Sequence, residues 1–249
     1  MPIFNETPSP GCYFDHWPIL YADNHLLALY KPAGLLVQGD ATEDVSLLEL
    51  GKVWLKEKYE KPGRVFLGLV HRLDRPVAGV VVFARTSKAA ARLSEQFRSG
   101  TLEKRYLAIV EGSLETPAGR WVDHLERENR SSRVVIASRK GTQEARLSYR
   151  VLATHGTVSL VEIVLETGRR HQIRTQFAHR GHPLLGDKRY GASTLLGRKQ
   201  IALLAKTITF QHPVRHERLT VESPLPRGWP WPGAISDPAS PPWTWEEQT

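Results

Sequence analysis

The sequence predicts an α+β protein built on a mainly antiparallel sheet. Strand-like segments outnumber helix-like segments, and the two kinds do not alternate strictly along the chain. Strict alternation is typical of doubly wound parallel sheets, so that architecture is disfavoured. A chain of 249 residues with 41% hydrophobic residues is long enough for one large domain or two small ones.

Apolar residues at helical spacing predict two helices in the first hundred residues. The apolar positions are Leu47, Leu50 and Trp54 in the first helix and Ala90, Leu93 and Phe97 in the second. Ser46 can cap the first helix, which is predicted near residues 46–59. Ser87 can cap the second helix, and Gly100 ends it.

A third, short helix is predicted from His171 to Arg180, closed by Gly181. It would place Arg170 and Arg174 four residues apart on one helix face. Strands are predicted from apolar and β-branched runs at residues 26–30, 66–70, 80–84, 104–111, 133–138, 145–153, 157–166 and 200–211.

Composition argues against several classes of protein. No apolar run approaches the ~18 residues needed to span a bilayer. The N-terminus lacks the basic start and apolar core of a secretory signal. The single cysteine, Cys12, can form neither a disulfide within the chain nor a thiolate metal cage, which fits a reducing cytoplasm.

Positive charge is concentrated in two segments of the sequence. The formal net charge of +8 and the pI near 9.7 favour a polyanionic partner. Residues 127–150 hold seven Lys or Arg against two acids, and residues 169–190 hold six against one, Asp187. Such clusters are typical of phosphate-binding surfaces, although a solvated run of charges remains an alternative for the first segment.

The most informative motif is His71-Arg72-Leu73-Asp74-Arg75-Pro76-Val77-Ala78-Gly79. It places one carboxylate in a loop between two apolar runs that predict buried strands. An aspartate at a strand end is often only a turn former. A carboxylate held at the edge of a sheet by a cationic neighbour stays ionised, however, and such a group suits a nucleophile or a base.

Four blocks in order resemble the RluA-type family of RNA pseudouridine synthases. They are His71 to Asp74 with Gly79, Lys31-Pro32-Ala33-Gly34, the strand Lys104 to Gly112, and an arginine block from Thr167 to Arg174 that continues with Gly181 to Asp187 and Tyr190-Gly191. The resemblance implies the pseudouridine synthase fold. That fold is α+β, with a mainly antiparallel mixed sheet, flanking helices and a catalytic cleft across the sheet.

Three positions, in two places, depart from the family's pattern. Val77-Ala78 stand where the family usually has Thr-Ser, and Leu204 stands where a histidine is common. Neither change replaces a group expected to do chemistry. Both changes affect the fine positioning of the loop that carries Asp74.

The resemblance implies roles for five side chains. Asp74 is the essential catalytic carboxylate, and Arg174 pairs with it and orients it. Tyr106 lies against the target base and is a candidate for proton transfer. Arg72 enters the RNA stack as the uridine is flipped out, or contacts a phosphate instead. Arg170 is a further RNA-binding residue.

Pseudouridine formation breaks the N-glycosidic bond of a uridine, turns the base and rejoins it through carbon. The problem resembles glycoside cleavage, in which a carboxylate faces positive charge that develops at the anomeric carbon. Asp74 could attack the sugar, attack the base or remove a sugar proton. The sequence leaves these three steps open.

The chain is expected to have three parts: an arm, residues 1–18; a pseudouridine synthase catalytic domain, residues 19–227; and a Pro/Trp-rich tail, residues 228–249. Seven prolines and four of the seven tryptophans lie between Pro224 and Thr249, which disfavours regular structure there. A tail folded back on an apolar groove, or disordered, is favoured over one that stacks on RNA bases, because Arg227 is the only cation between Pro224 and Thr249.

Two other classes of protein fit the sequence less well. A metal-dependent nuclease would need ligand spacing such as His-Glu-x-x-His, which is absent. A non-catalytic RNA-binding or ribosome-assembly protein on the same fold stays an alternative, but it would be expected to have lost Asp74, Tyr106 or Arg174. We therefore expect a cytoplasmic, monomeric enzyme that flips a uridine out of a tRNA or 23S-type rRNA stem-loop, with no cofactor, metal or membrane.

Overall fold

The structure, a computed structural model, describes residues 19–41, 44–197, 200–226 and 228–231. The predicted arm and the tail beyond residue 231 lie outside the described residues. The described strands are β1 Ile19–Ala22, β2 Leu26–Lys31, β3 Gly68–Leu69, β4 Ala78–Ala84, β5 Glu103–Glu111, β6 Ala118–Glu128, β7 Ser131–Val135, β8 Thr142–His155, β9 Val158–Leu165, β10 Leu203–Gln211 and β11 Arg218–Glu222. The described helices are α1 Leu47–Lys58, α2 Ser87–Ser99 and α3 Gln172–His179, with a short 3-10 helix at Lys188–Tyr190.

The strands form one mixed sheet. Its order is β1-β2-β4-β10-β5-β9-β8-β6-β7, with β3 paired to β4 and β11 paired to β10. Among the pairings of the described strands, only β10 with β4 is parallel, through Leu204 with Ala78 and Ala205 with Gly79. The predicted fold class, α+β with a mainly antiparallel mixed sheet, is confirmed.

Gly79, which ends the central motif, lies where β4 and β10 approach each other closely. Its backbone has a φ of +125°, and a Cβ at this position would lie 2.3 Å from the carbonyl oxygen of Ala205. Any side chain would therefore separate the two strands. The close approach positions the loop before β4 beside the strands that carry the rest of the candidate site.

The caps of the first two helices differ in one detail from the prediction. α1 begins after Ser46, whose hydroxyl accepts the N–H of Glu49, as predicted. α2 is capped by Thr86, whose hydroxyl accepts the N–H of Ala89, so the assignment of the cap to Ser87 was wrong. Thr86 has the extended backbone that an N-cap requires, whereas Ser87 is already helical.

The predicted start of α3 was also wrong. The helix begins at Gln172, and His171 before it has left-handed backbone with a φ of +54°. Arg170 consequently lies outside the helix and is exposed, whereas Arg174 is buried, so the two do not share a helix face. The side-chain oxygen of Gln172 accepts the N–H of Arg169, which holds the preceding loop out of the helix.

Several strand predictions needed correction. The run at residues 66–70 forms only the two-residue strand β3, and Phe66 at its start is 52% exposed. The run at residues 133–138 is the shorter, earlier strand β7. The long strand β6 was not predicted, because its alternation is mostly between exposed and half-buried polar residues.

The beginning of the tail packs on the core. Trp229 contacts one apolar cluster that contains Tyr30 and Leu204, and a second that contains Ile109 and Ala202. Trp231 packs on the second cluster. This agrees with a tail folded back on an apolar surface for the described residues, while the domain boundary after residue 227 stays a prediction.

None of the helices in the described part of the chain combines the length and the hydropathy that a bilayer crossing requires.

Candidate active site

Asp74 lies in the loop between β3 and β4, with its side chain 30% exposed. The Lys-Pro-Ala-Gly turn supports this loop from the side of β2. The carbonyl of Arg75 accepts the N–H of Gly34 at 2.8 Å, and the guanidinium of Arg75 donates back to the carbonyl of Gly34 at 2.8 Å. Arg75 therefore fixes the loop backbone and is not the cation that faces Asp74.

Lys31 is a second anchor of the same loop. Its side chain is fully buried, and its ammonium donates to the carbonyls of Pro32, Leu35 and Arg75 at 2.8–3.0 Å. Burial lowers the pKa of Lys31 to about 7, and the carboxylate of Asp74 opposes that shift. Three carbonyl acceptors match the three donors of an ammonium group, so they stabilise the charged form.

His71 holds the other end of the loop. Its Nε2 accepts the N–H of Val82 at 2.9 Å, and its ring stacks on Phe97 with the centroids 4.7 Å apart. Burial, and secondly the ammonium of Lys104, lower the pKa of His71 to about 3. The neutral imidazole is thus a structural hydrogen-bond acceptor that fixes the loop.

Arg174 on α3 makes the closest charged contact with Asp74. Its Nη1 donates to Oδ2 of Asp74 at 3.2 Å. Its Nε and Nη2 donate to the two oxygens of Asp187 at 2.6 and 2.8 Å. The sequence predicted the pairing of Arg174 with Asp74, and the structure brings the two together. The guanidinium instead forms its planar contact, with two hydrogen bonds, to Asp187.

Asp187 was not among the predicted site residues. It is 1% exposed and lies between α3 and the 3-10 helix. The signal that could have found it was its isolation, because it is the single acid in the basic segment 169–190. Because Asp187 occupies Nε and Nη2 of Arg174, Asp74 contacts this guanidinium only through Nη1 and one carboxylate oxygen.

A chain of polar groups reaches Asp74 from the side of β7. The N–H of Ser132 donates to the hydroxyl oxygen of Tyr190 at 2.9 Å, and that hydroxyl lies 2.8 Å from Nδ1 of His171. Nε2 of the same imidazole lies 3.5 Å from Oδ2 of Asp74. The left-handed backbone of His171 is what turns its ring toward the carboxylate.

His171 is neutral in this arrangement. Burial lowers its pKa to about 4, although the carboxylate of Asp74 acts in the opposite direction. The neutral ring therefore adds no positive charge beside Asp74. The cations Arg174, Arg170 and Arg189 also disfavour a second proton on the ring.

Tyr106 is on β5 and packs between two core clusters beside Leu73. Burial, and secondly the nearby carboxylate of Asp74, raise the pKa of Tyr106 well above its usual range. No hydrogen bond of its hydroxyl is found within residues 19–41, 44–197, 200–226 and 228–231. The hydroxyl is thus protonated at neutral pH, and it is open to a substrate group.

The two remaining predicted residues lie outside this buried network. Arg72 is exposed, at the start of the loop that carries Asp74. Arg170 is exposed and donates to the carbonyl of Asn129 at 3.2 Å. Arg189 likewise donates to the carbonyl of Arg130 at 2.8 Å. These two contacts bring the basic segments 127–150 and 169–190 together along one side of the site.

Many cations of the first basic segment have carboxylate partners. Arg133 and Arg139 both pair with Glu126, and Arg150 pairs with Glu162. These arginines contribute less to an RNA-binding surface than the sequence count suggests, because their charge is already compensated.

The two departures from the family pattern are neighbours in the structure. Ala78 and Leu204 are direct partners in the parallel pairing of β4 with β10, and both are fully buried in one apolar cluster. A hydroxyl and an imidazole at these positions could hydrogen-bond to each other, whereas here a methyl group and a leucine pack together. The two changes are therefore mutually compatible, and neither leaves a buried polar group without a partner.

Within the described part of the chain, no group of three or more His, Cys, Asp or Glu side chains could hold a metal ion.

Comparison with known proteins identifies the class. A sequence model of the family described as RNA pseudouridylate synthase matches residues 25–179. A solved structure titled Human RNA Pseudouridylate Synthase Domain Containing 4 superposes with a TM-score of 0.73 at 24% identity, over 88% of this chain and 91% of that one. The fold is that of a pseudouridine synthase.

Curated relatives agree with that class. The chain is 37% identical, over 84% of its length, to an uncharacterized RNA pseudouridine synthase, YhcT, of Bacillus subtilis, and covers 68% of that protein. It is 34% identical to ribosomal large subunit pseudouridine synthase D of Xanthomonas campestris, with 84% and 66% covered. It is 29% identical to tRNA pseudouridine synthase C of Pasteurella multocida, with 85% and 92% covered. The chain belongs to the RluA-type family of RNA pseudouridine synthases, and it spans about two thirds of the length of the first two relatives.

Proposed function

We propose that this chain isomerises a specific uridine in structured RNA to pseudouridine, with Asp74 as the catalytic carboxylate. The observation that carries the proposal is the pairing of Asp74 with Arg174, which is itself bound through both its remaining donor groups to Asp187. This arrangement holds an ionised carboxylate at the edge of a cleft while leaving one side of it open. Such a group can act on the anomeric carbon or on the base of a flipped uridine.

The other predicted residues have complementary roles in the proposal. Tyr106 contacts the flipped base, and its protonated hydroxyl can donate a hydrogen bond to it. Arg72 occupies the space that the uridine leaves in the RNA stack. Arg170 binds phosphate beside α3. Water must be kept out of the cleft, because hydrolysis competes with the rejoining of base and sugar.

A non-catalytic RNA-binding protein on the same fold is the alternative. The retained contact between Asp74 and Arg174 favours the enzyme, because a buried network around one carboxylate serves no purpose in RNA binding alone. The substrate is a uridine in a loop of tRNA or large-subunit rRNA, the two kinds of RNA that appear in the names of the relatives. We further propose a cytoplasmic monomer.

Mapping of pseudouridines in total RNA tests the proposal. Cells without the gene should lack pseudouridine at one or a few sites, and the purified protein should restore it on the unmodified RNA. Restoration should persist in the presence of a chelator, because the roles proposed for Asp74, Tyr106 and Arg72 require no metal. Identical maps with and without the gene would refute the proposed activity.

A further inference from the structure

Lys104 lies in the cleft without a counter-ion. It is on β5 two residues before Tyr106, so its side chain points to the same face of the sheet. In the part of the chain that the structure describes, its ammonium has no hydrogen-bond acceptor and no carboxylate within 4.0 Å. Burial, and secondly the guanidinium of Arg169, lower the pKa of Lys104 to about 8.

The surroundings of Lys104 add positive charge. Arg169 in the loop before α3 is exposed, and its Nε donates to the backbone carbonyl of Glu144 at 2.8 Å. No carboxylate of the described residues lies within 4.0 Å of this guanidinium either. Two like charges that approach each other in a partly buried site cost free energy unless an anion lies between them.

The approach to this pair of cations is open. Gly168 precedes Arg169 and is exposed, and a Cβ on Gly168 would lie 3.4 Å from Nζ of Lys104. This distance is that of an ordinary van der Waals contact, so Gly168 lies directly beside the ammonium on the solvent side. With glycine there, a ligand can reach Lys104 and Arg169 together.

We propose that Lys104 and Arg169 bind one phosphate group of the RNA strand that carries the target uridine, next to the nucleotide held against Tyr106. The position relative to the uridine rests on the proposed function. A phosphate supplies the negative charge that both cations lack, whereas the edge of a uracil is neutral and would not relieve their repulsion. The contact would fix the strand at the entrance to the cleft.

Equilibrium binding of a fluorescein-labelled oligouridylate of twelve nucleotides tests the proposal. The affinity should be measured over a range of NaCl concentrations for the wild type, Lys104→Gln and Lys104→Arg. Lys52→Gln is the matched control, because Lys52 lies on α1 and is already paired with Glu49 at 2.8 Å. All Gln variants lose one positive charge, so a general effect of net charge would appear in the control too.

We expect Lys104→Gln to weaken binding by about tenfold, the size of one charge-assisted hydrogen bond. The slope of log affinity against log salt should fall in magnitude by about 0.7, the value for one phosphate contact on a single strand. Lys104→Arg should restore most of both losses, and Lys52→Gln should show neither. Arg169→Gln, on an exposed side chain, should reproduce the change in slope.

The melting temperature separates this role from a structural one. Because Lys104 is a cation without a counter-ion, Lys104→Gln should leave the melting temperature unchanged or raise it. A slope equal to that of Lys52→Gln would overturn the proposal, and so would a loss of affinity with unchanged slope, which would indicate a neutral uracil contact. Binding is measured without turnover, so a wild type that binds in this way but makes no pseudouridine contradicts only the proposed activity.

Discussion

The two arginines that flank Asp74 in the proposed mechanism have opposite surroundings. Arg174 is 5% exposed and donates hydrogen bonds to two carboxylates. Arg72 is exposed, and the described residues place no carboxylate within 4.0 Å of it. Within the described residues the same contrast separates Asp187 from Lys104. Asp187 is a buried acid whose two oxygens both accept hydrogen bonds from Arg174, whereas Lys104 is a cation without an acidic partner. The buried side of the cleft, with Arg174 and Asp187, therefore has its partners in the free protein. The open side, with Arg72 and Lys104, is left to be completed by RNA.

This comparison predicts which substitutions change chemistry and which change affinity. Residues of the buried side should affect the rate of a single turnover at saturating enzyme. Residues of the open side should affect the enzyme concentration that gives half of that rate.

Asp74→Asn should have the largest effect. It removes the charge and keeps the shape, so pseudouridine formation should be abolished while RNA affinity stays within a few-fold of the wild type. Single-turnover assays and equilibrium binding on the same RNA check this. Turnover near the wild-type rate would remove Asp74 from the catalytic role.

Arg174→Lys should cost roughly ten- to a hundredfold in the single-turnover rate. A lysine cannot reach Asp74 and both oxygens of Asp187 at once, so at least one charge-assisted hydrogen bond of ~1.5–3 kcal/mol is lost. A melting curve of the variant should accompany the assay, because Asp187 is buried. If the folded variant reacts at the wild-type rate, a single mobile charge is enough to orient Asp74.

Two truncations should differ in stability. Removal of residues 228–249 takes away Trp229 and Trp231, which pack on the core, and should lower the free energy of unfolding by about 3–5 kcal/mol. For a chain of this size that loss corresponds to a fall in Tm of about 10 °C. Removal of residues 232–249 is the control and should change Tm by no more than about 2 °C. Equal Tm values for the two truncated chains would show that neither tryptophan completes the core.

A smaller effect is expected from acid. The pKa of His71 is about 3 in the folded protein and near 6.5 when unfolded, so between these values the unfolded chain binds more protons. Stability should therefore fall as the pH falls from 7.5 to 5, by on the order of 1–2 kcal/mol for this group. His71→Gln keeps an acceptor for the N–H of Val82 and removes the titration. Urea unfolding at both pH values should show a smaller pH dependence in the variant, and an identical dependence would assign the effect to other groups.

The fold and much of the site could be predicted because the informative signals are local. Ser46 marks a helix start through its hydroxyl, and Gly100 marks a helix end through its left-handed backbone. The apolar runs of β4 and β5 indicate burial directly. Asp74, Tyr106 and Arg174 were found because each lies inside a distinctive block of sequence. Gly79 belongs to such a block for a reason visible only in the fold, its contact with Ala205.

The missed features depend on partners that are distant in sequence. Helical spacing placed Arg170 beside Arg174, but the side chain of Gln172 binds the preceding loop and delays the start of α3. The contact of Arg174 with Asp187 joins α3 to the segment before the 3-10 helix, and no local pattern specifies how these two pack. The lack of a counter-ion for Lys104 is likewise a property of the assembled cleft.

The central claim is that the buried side of the cleft serves the reaction and the open side serves binding. The most direct test is the single-turnover rate as a function of enzyme concentration for Asp187→Asn and Arg170→Lys. Asp187→Asn should lower the plateau of the single-turnover rate by about tenfold or more, because it weakens the hydrogen bonds that position Arg174. The enzyme concentration at half-saturation should stay unchanged. Arg170→Lys should raise the half-saturation point and leave the plateau unchanged. The reverse pattern, with Arg170→Lys acting on the plateau and Asp187→Asn on half-saturation, would contradict the account.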